Sequence, residues 1–515
     1  MGLGPIRIIG GGLAGCEAAW QAAARGVPVT IHEMRPARPT DVHKTDRLAE
    51  LVCSNSFRGD KLDNAVGLLK EEMRRLDSLV MHAAEVARVP AGAALAVDRD
   101  LFARTVTQAI HDHPLITLSR EEVTSIPAAT EVSPVIIATG PLTSPDLSAA
   151  IVQLVGNEHL YFYDAISPIV LADTIDMSKV FRASRWNRSS PKSTVQSPES
   201  MRKTCGTDDG DGDYLNCPMS ADEYRVFYAA LVSAESATVH DFDKEKFFEG
   251  CLPIEVMAHR GEDTLRFGPM KPVGLRDPRT GRQPYAAVQL RQDNLAGDHY
   301  SLVGFQTQLK WGEQARVLRM IPGLEQAEFV RFGMVHRNTY INGPTVLHET
   351  WQTRANPFLL FAGQISGVEG YVESAASGLI AGRNAAALAS GQALRVPPRT
   401  TAIGALAFYV SHANPHDYQP TNITFGIMEA PSEQIRDKQK RKLAISERAL
   451  ADLEGWKHGD PNEKADLKVS TTITAAAADV STTTAATADV RTTTAATADV
   501  VPTLPPSRSF GGPAR

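Results

Sequence analysis

A glycine cluster, one acid and two cysteines carry the residue types from which chemistry could be built. Gly10, Gly12 and Gly15 stand at the G-x-G-x-x-G spacing within Gly10-Gly11-Gly12-Leu13-Ala14-Gly15. At that spacing the first glycine permits a tight turn and the second lets a pyrophosphate approach bare backbone. The third lets the following helix pack close to a sheet. The unpaired N–H groups and positive dipole end of that helix then face phosphate. Glu33 falls where an acid would receive a ribose hydroxyl. The chemistry implied is dinucleotide binding; the alternative is a glycine-rich turn of an ordinary α/β domain. Cys53 is set among small polar residues in Val52-Cys53-Ser54-Asn55-Ser56. Cys217 lies in Asn216-Cys217-Pro218, which predicts a turn before a helix, where N–H groups stabilise a thiolate. For any single cysteine the alternative is a buried packing residue.

The elements that must position these residues follow from periodicity. An apolar run at Ile6-Arg7-Ile8-Ile9 reads as a strand, residues 16–25 as a helix closed by Gly26, and residues 27–33 as the next strand. Residues 34–65 read as a long functional loop. Residues 68–87 have helical spacing, and Asp98 caps a helix over 101–111. Residues 134–140 form a buried strand ending on Thr139-Gly140. A polar, basic stretch follows over 182–213, then a helix over 221–233 and strand candidates at 285–290 and 300–305. Residues 358–363 are an apolar strand ending in glycine. The loop Gly367-Val368-Glu369-Gly370-Tyr371 and a small-residue helix over 373–388 come after it. This suits the flavin side of a doubly wound site, with Gly363, Gly367 and Gly370 as contacts. A last helix is expected over 443–453.

The expected fold is therefore α/β: a doubly wound, Rossmann-like FAD domain of the glutathione-reductase type. It is expected in two parts, 1–180 and 326–455, around an inserted α+β substrate domain at 181–325. Beyond it, residues 456–515 repeat a Thr/Ala/Asp/Val pattern with few large apolar residues and are expected to be a disordered tail. With 43% hydrophobic residues and no apolar run of about 20 residues, the composition is that of a globular protein without a membrane span. Five widely spaced cysteines exclude a disulfide framework and point to a reducing, cytoplasmic compartment; no C-x-x-C pair or other metal-ligand spacing occurs. A net charge of −6 requires any RNA partner to find a local basic face. Arg182, Arg185, Arg188, Arg276, Arg279, Arg282 and Arg291 are the candidates.

Several ordered stretches resemble the folate- and FAD-dependent tRNA (uracil-5-)-methyltransferases, the TrmFO family. They are Gly10 to Gly15, Cys53-Ser54-Asn55-Ser56-Phe57-Arg58, Tyr214 to Met219, Arg266 to Leu275, Gly304-Phe305-Gln306-Thr307, Met320 to Leu324, His336-Arg337-Asn338-Thr339 and Phe361 to Ala376. The likeness spans roughly residues 5–430; the stretch 186–213 is longer than the family's usual link, and the tail lies outside it. The resemblance implies that 5,10-methylenetetrahydrofolate gives a one-carbon unit and reduced FAD the electrons, with NADH or NADPH reducing the flavin. The product it implies is ribothymidine in the T-arm of tRNA, with no obligate protein partner. C5 of uracil is a poor nucleophile until a thiolate adds at C6, so a cysteine is required. The resemblance makes Cys217 the expected nucleophile and gives Cys53 an active-site role. It places His336 and Asn338 at the folate or flavin pocket and brings Gly10, Gly11, Gly12, Leu13, Ala14, Gly15 and Glu33 to FAD. Two other readings share much of the sequence: a related flavoprotein modifying wobble uridines, and a small-molecule flavin reductase.

Overall fold

The computed structural model describes residues 4–40, 42–156, 159–187, 212–236, 252–432 and 434–459. Cys205, Cys251, Arg188 and the expected tail from 460 onward lie outside the described residues. Five strands form a parallel sheet in the order Leu359–Phe361, Val135–Ile137, Ile6–Ile9, Val29–His32, Ile116–Ser119. Ile8 pairs with Ile31 on one side and Ile136 on the other. Val135, Ile136 and Ile137 are wholly buried, as a strand covered on both faces requires. The doubly wound expectation is met, and the strand order turns back at Ile6–Ile9, where such sheets open a ligand crevice.

Two helices cover the central strands, Leu13–Ala24 and Tyr371–Ala389. They approach backbone to backbone. A Cβ on Gly378 would lie 2.2 Å from the Ala14 carbonyl oxygen, and one on Gly382 would lie 2.3 Å from that of Ala18. The expected single helix over 68–87 is two, Ala65–Arg75 and Leu79–Val86. Asp77 breaks it at φ 56°, and Ser78 caps the second piece on the Met81 N–H. Buried Glu17 fixes the break by accepting from Ser78 Oγ at 2.7 Å and Val80 N at 3.0 Å.

The second unit is a six-stranded antiparallel sheet, in the order Phe181–Arg182, Tyr214–Met219, Ala286–Gln292, His299–Leu302, Ile169–Leu171, Phe329–Arg331. Its outermost sequence members lie before 181 and after 325, so the expected insert boundaries cut through the sheet. The pair His159–Ala165 and Val335–Ile341 runs antiparallel beside it and carries the chain in and out. We therefore place the insert between residues 166 and 334. The last helix, Lys438–His458, extends the expected one at both ends.

A small sheet of Ser56–Gly59, Ala94–Val97 and Arg88–Val89 holds the segment after Cys53. Beneath it the fully buried Lys70 donates to the carbonyls of Phe57 (3.1 Å) and Arg58 (3.2 Å) and lies 3.2 Å from Asp60. Burial opposes ionisation of Asp60, but Lys70, Arg88 and Arg74 outweigh it and hold the carboxyl at about 2.

Candidate active site

The glycine turn is built as its spacing requires. Gly10 has φ 108°, and a Cβ there would lie 2.4 Å from the Ala138 carbonyl oxygen. A Cβ on Gly15 would lie 1.9 Å from the Gly10 carbonyl oxygen, so helix and turn touch through bare backbone. Gly12 differs: a Cβ there meets nothing within 4 Å. It is also the residue that starts the helix Leu13–Ala24, whose first turn has no side-chain cap. The open space at Gly12 is where a pyrophosphate would fit, on free N–H groups.

Glu33 closes the cradle. One carboxylate oxygen accepts from Gly11 N at 2.9 Å, and the other from Arg35 N (3.0 Å) and Nε (2.8 Å). Burial disfavours its charge, yet the Arg35 bonds and charge and the Gly11 N–H win, and the carboxyl sits below its ordinary range. An ionised acid at this position can accept ribose hydroxyls. The residues present therefore fit an adenine dinucleotide such as FAD.

A cavity of about 410 Å³ runs from this cradle into the junction of the two units. Gly10, Gly11, Gly12, Leu13, Ala14 and Glu33 line one end; Gly363, Gly370, Tyr371, Arg58 and Cys53 line it further on. Gly15 supports it from behind. Gly367 does not line it. Its φ of 92° lets it sit under the Tyr418 ring, whose oxygen would be 2.1 Å from a Cβ there. His336 and Asn338 lie on the strand Val335–Ile341, opposite Asp164 and Phe162; their side chains are outside the described residues.

Cys53 is half-buried in the cavity wall and sits in a fastened loop. The Tyr371 hydroxyl accepts from Cys53 N at 2.8 Å and Ser54 N at 3.2 Å. Arg99 donates to Leu51 O (2.9 Å) and Cys53 O (3.4 Å), and Arg331 to Val52 O (2.6 Å) and Cys53 O (3.3 Å). Arg291 donates to Asn55 Oδ1 (2.8 Å) and Ser54 Oγ (2.9 Å). Asn55 in turn donates to Val97 O and Gln292 O, tying the loop to both units. Arg99, Arg291 and Arg331 all interact electrostatically with Cys53. Arg331 is pushed down to about 10 by burial and by Arg99, with Cys53 acting the other way. Three guanidinium groups thus gather at the Cys53 loop, with Arg99 also paired with Asp293 at 3.1 Å.

Cys217 is elsewhere. It lies on the strand Tyr214–Met219, not at a turn, and is wholly buried. Alternation points it inward with Leu215 and Met219, into a core with Tyr224 and Phe227. Burial pushes its thiol well up, and the Glu325 charge adds to that. Among the described residues it does not line the cavity, and it lies on a strand where a turn before a helix was expected. Pro218 is tolerated in the strand because the neighbouring Phe181–Arg182 pairs only with Asn216 and Leu215, leaving an edge at residue 218.

The expected basic face also changes. Arg291 is buried against the Cys53 loop, and Arg279 is ion-paired with Asp277 at 2.8 Å. Arg182 reaches Tyr300 Oη at 3.1 Å, and Arg185 reaches Gln289 at 2.9 Å. Sequence reasoning assigned no role to Arg58, Arg99, Arg331 or Tyr371. Arg58 and Tyr371 lie in stretches that the resemblance singled out and Arg99 at the start of a capped helix, but Arg331 carried no signal. Arg58 pairs with the fully buried Glu373, whose second oxygen has no partner among the described residues.

The family described as Glucose inhibited division protein A matches residues 5–393. A methylenetetrahydrofolate--tRNA-(uracil-5-)-methyltransferase TrmFO of Pelotomaculum thermopropionicum is 57% identical over 452 residues, covering 88% of this chain and 98% of that one. Its namesake in Heliobacterium modesticaldum is 57% identical over 450 residues, covering 87% and 97%. The solved form II structure of Aquifex aeolicus GidA superposes with a TM-score of 0.62 over 91% of this chain and 73% of that one. At 16% identity it speaks for the fold alone. With more than half its sequence shared across nearly the whole length of such relatives, the chain belongs to the TrmFO family.

Proposed function

We propose that this protein methylates C5 of a tRNA uridine, the T-arm uridine in the finer reading, with methylenetetrahydrofolate as the carbon source. The observation that carries the reading is Cys53, which lines the same cavity as the dinucleotide cradle together with Arg99 and Arg291. FAD, when bound and reduced by NADH or NADPH, supplies the hydride that turns a transferred methylene into methyl.

The chain's own residues account for the rest. Gly12 and Leu13 offer N–H groups to the pyrophosphate, and Glu33 receives the ribose. Cys53 adds through sulfur to C6 of the uracil, which makes C5 nucleophilic. C5 bonds to the one-carbon unit and loses its proton to a base; the bond from that carbon to the folate nitrogen breaks, releasing tetrahydrofolate and leaving an exocyclic methylene, and hydride addition to that methylene expels the thiolate from C6. Tyr371, Arg99 and Arg331 hold the loop so that the sulfur faces the cavity. The target base must leave its stack to reach it. A cytoplasmic site of action accords with the cysteine usage; among the described residues no helix is long and apolar enough to cross a membrane.

The test is ribothymidine formation, read by nucleoside mass spectrometry, from purified protein, methylenetetrahydrofolate, NAD(P)H and unmodified tRNA. Cys53→Ala should abolish product, and Cys217→Ala should retain it. Full activity in Cys53→Ala would overturn the assignment. Product without added folate would overturn the carbon source.

A further inference from the structure

A stack of aromatic rings stands on the inserted unit, one residue from the arginine that holds the Cys53 loop. Trp311 opens the helix Trp311–Leu318 and is 62% exposed, an unusual state for the largest apolar side chain. Its ring lies 6.2 Å from that of Phe332 at an interplanar angle of 18°, and Phe332 lies 5.0 Å from Phe329 at 23°. The Arg319 guanidinium ends the stack, 5.9 Å from the Phe329 ring centre. Among the described residues Trp311 is thus the terminal ring of the stack and largely exposed.

The stack is held in place. Gln314, fully buried on the same helix, donates to Leu309 O (2.6 Å) and Gly333 O (2.9 Å) and accepts from Gly333 N (2.7 Å). That clamp fixes Trp311 beside Phe332 without any ligand. The flanking charges are already matched: Lys310 with Glu235 and Arg316 with Glu313, each at 2.6 Å. The surroundings are therefore ionic and balanced, not the broad apolar patch that a protein partner needs at an interface core. What is offered is a single flat π-face, continuous through Phe332 and Arg331 with the loop that lines the cavity.

We infer that Trp311 is a stacking platform for one unpaired base of the RNA substrate, outside the reaction cavity. This rests on the tRNA reading above and adds to it a contact that is neither phosphate nor catalytic. Stacking on an aromatic face is tolerant of base identity and is worth enough to read in a binding assay.

The experiment is the affinity of unmodified tRNA for the full-length flavoprotein and for Trp311→Ala and Trp311→Phe, by fluorescence anisotropy at several salt concentrations. Trp311→Ala should weaken binding about tenfold, which is about 1.4 kcal/mol. The slope of log affinity against log salt should not change, because no phosphate contact is lost. Trp311→Phe should keep most of the affinity, which a merely structural role for the indole would not predict. FAD content and melting temperature serve as checks on folding. Wild-type affinity in Trp311→Ala would overturn this inference alone. A change in sedimentation mass of the free protein, with RNA affinity intact, would assign the ring to a second copy of the chain and also overturn it. If the unsubstituted protein bound no tRNA, the function reading would fail together with it.

Discussion

Replacing each motif glycine by alanine should give two kinds of failure from one motif. In Gly15→Ala the new carbon would sit 1.9 Å from the Gly10 carbonyl oxygen, where heavy atoms rest comfortably at about 3.5 Å. The helix Leu13–Ala24 must then back away from the turn. Overpacking of that size costs about 3 kcal/mol or more of folding stability. Gly10→Ala adds the strain of φ 108° to a 2.4 Å approach to the Ala138 carbonyl oxygen and should behave likewise. Gly12→Ala has neither defect. Its φ is −78°, its Cβ meets nothing, and the change should move stability by about 0.5 kcal/mol at most. The methyl would instead occupy the space for the pyrophosphate. Losing one charge-assisted N–H bond there is worth about 2 kcal/mol, or roughly thirtyfold in FAD affinity. The assay pairs urea unfolding of the apoprotein with FAD titration by flavin fluorescence. Gly12→Ala should show a wild-type unfolding midpoint and the weak affinity; Gly15→Ala should show a lowered midpoint. Undiminished FAD affinity in Gly12→Ala would refute the placement of the pyrophosphate.

Three further perturbations have expected outcomes. Cys217→Ala should lower stability by about 1 kcal/mol in urea unfolding, as a small core truncation does, and leave methyl transfer per folded molecule unchanged. Arg331→Met removes one of three positive groups near Cys53, so the pH dependence of Cys53 alkylation by iodoacetamide should move to higher pH. No movement would separate the arginines from thiolate formation. Asp60 has a folded value of about 2 against an ordinary 3.8, so its contribution is present above about pH 4 and fades as pH falls toward 2. Near neutral pH that contribution is about 2 kcal/mol; Asp60→Asn should remove it, flatten the acid limb of the stability curve, and leave Lys70 buried without its carboxylate.

The glycine turn, its helix and Glu33 were legible because their constraint is local: a turn, a close approach and an acid, all within one strand-helix-strand unit. The parallel sheet followed from the apolar strands at both ends of the chain. The choice between the cysteines was not legible, because it depends on long-range placement. Cys53 becomes electropositive only when Arg99, Arg291 and Arg331 arrive from three distant segments. The turn expected at Cys217 is a strand instead, because Pro218 argues against a strand unless the edge left by the short Phe181–Arg182 is known. The alternation of Leu215, Cys217 and Met219 was in the sequence, but nothing local identified the face it would join. The insert boundaries missed for the same reason: Ile169–Leu171 and Phe329–Arg331 are short strands whose partners lie far along the chain.

The fastening of the Cys53 loop decides which side of the encounter has to give way. Tyr371 takes its two amides, Arg99 and Arg331 take its carbonyls, and Asn55 bridges the two units across it. A backbone moored in this manner cannot carry the sulfur beyond the turn of its own side chain, so most of the reach falls on the nucleic acid. Turnover should then follow how readily the RNA opens: a transcript with a loosened elbow would be modified faster than a rigid, fully folded one, although the protein meets both with the same surface.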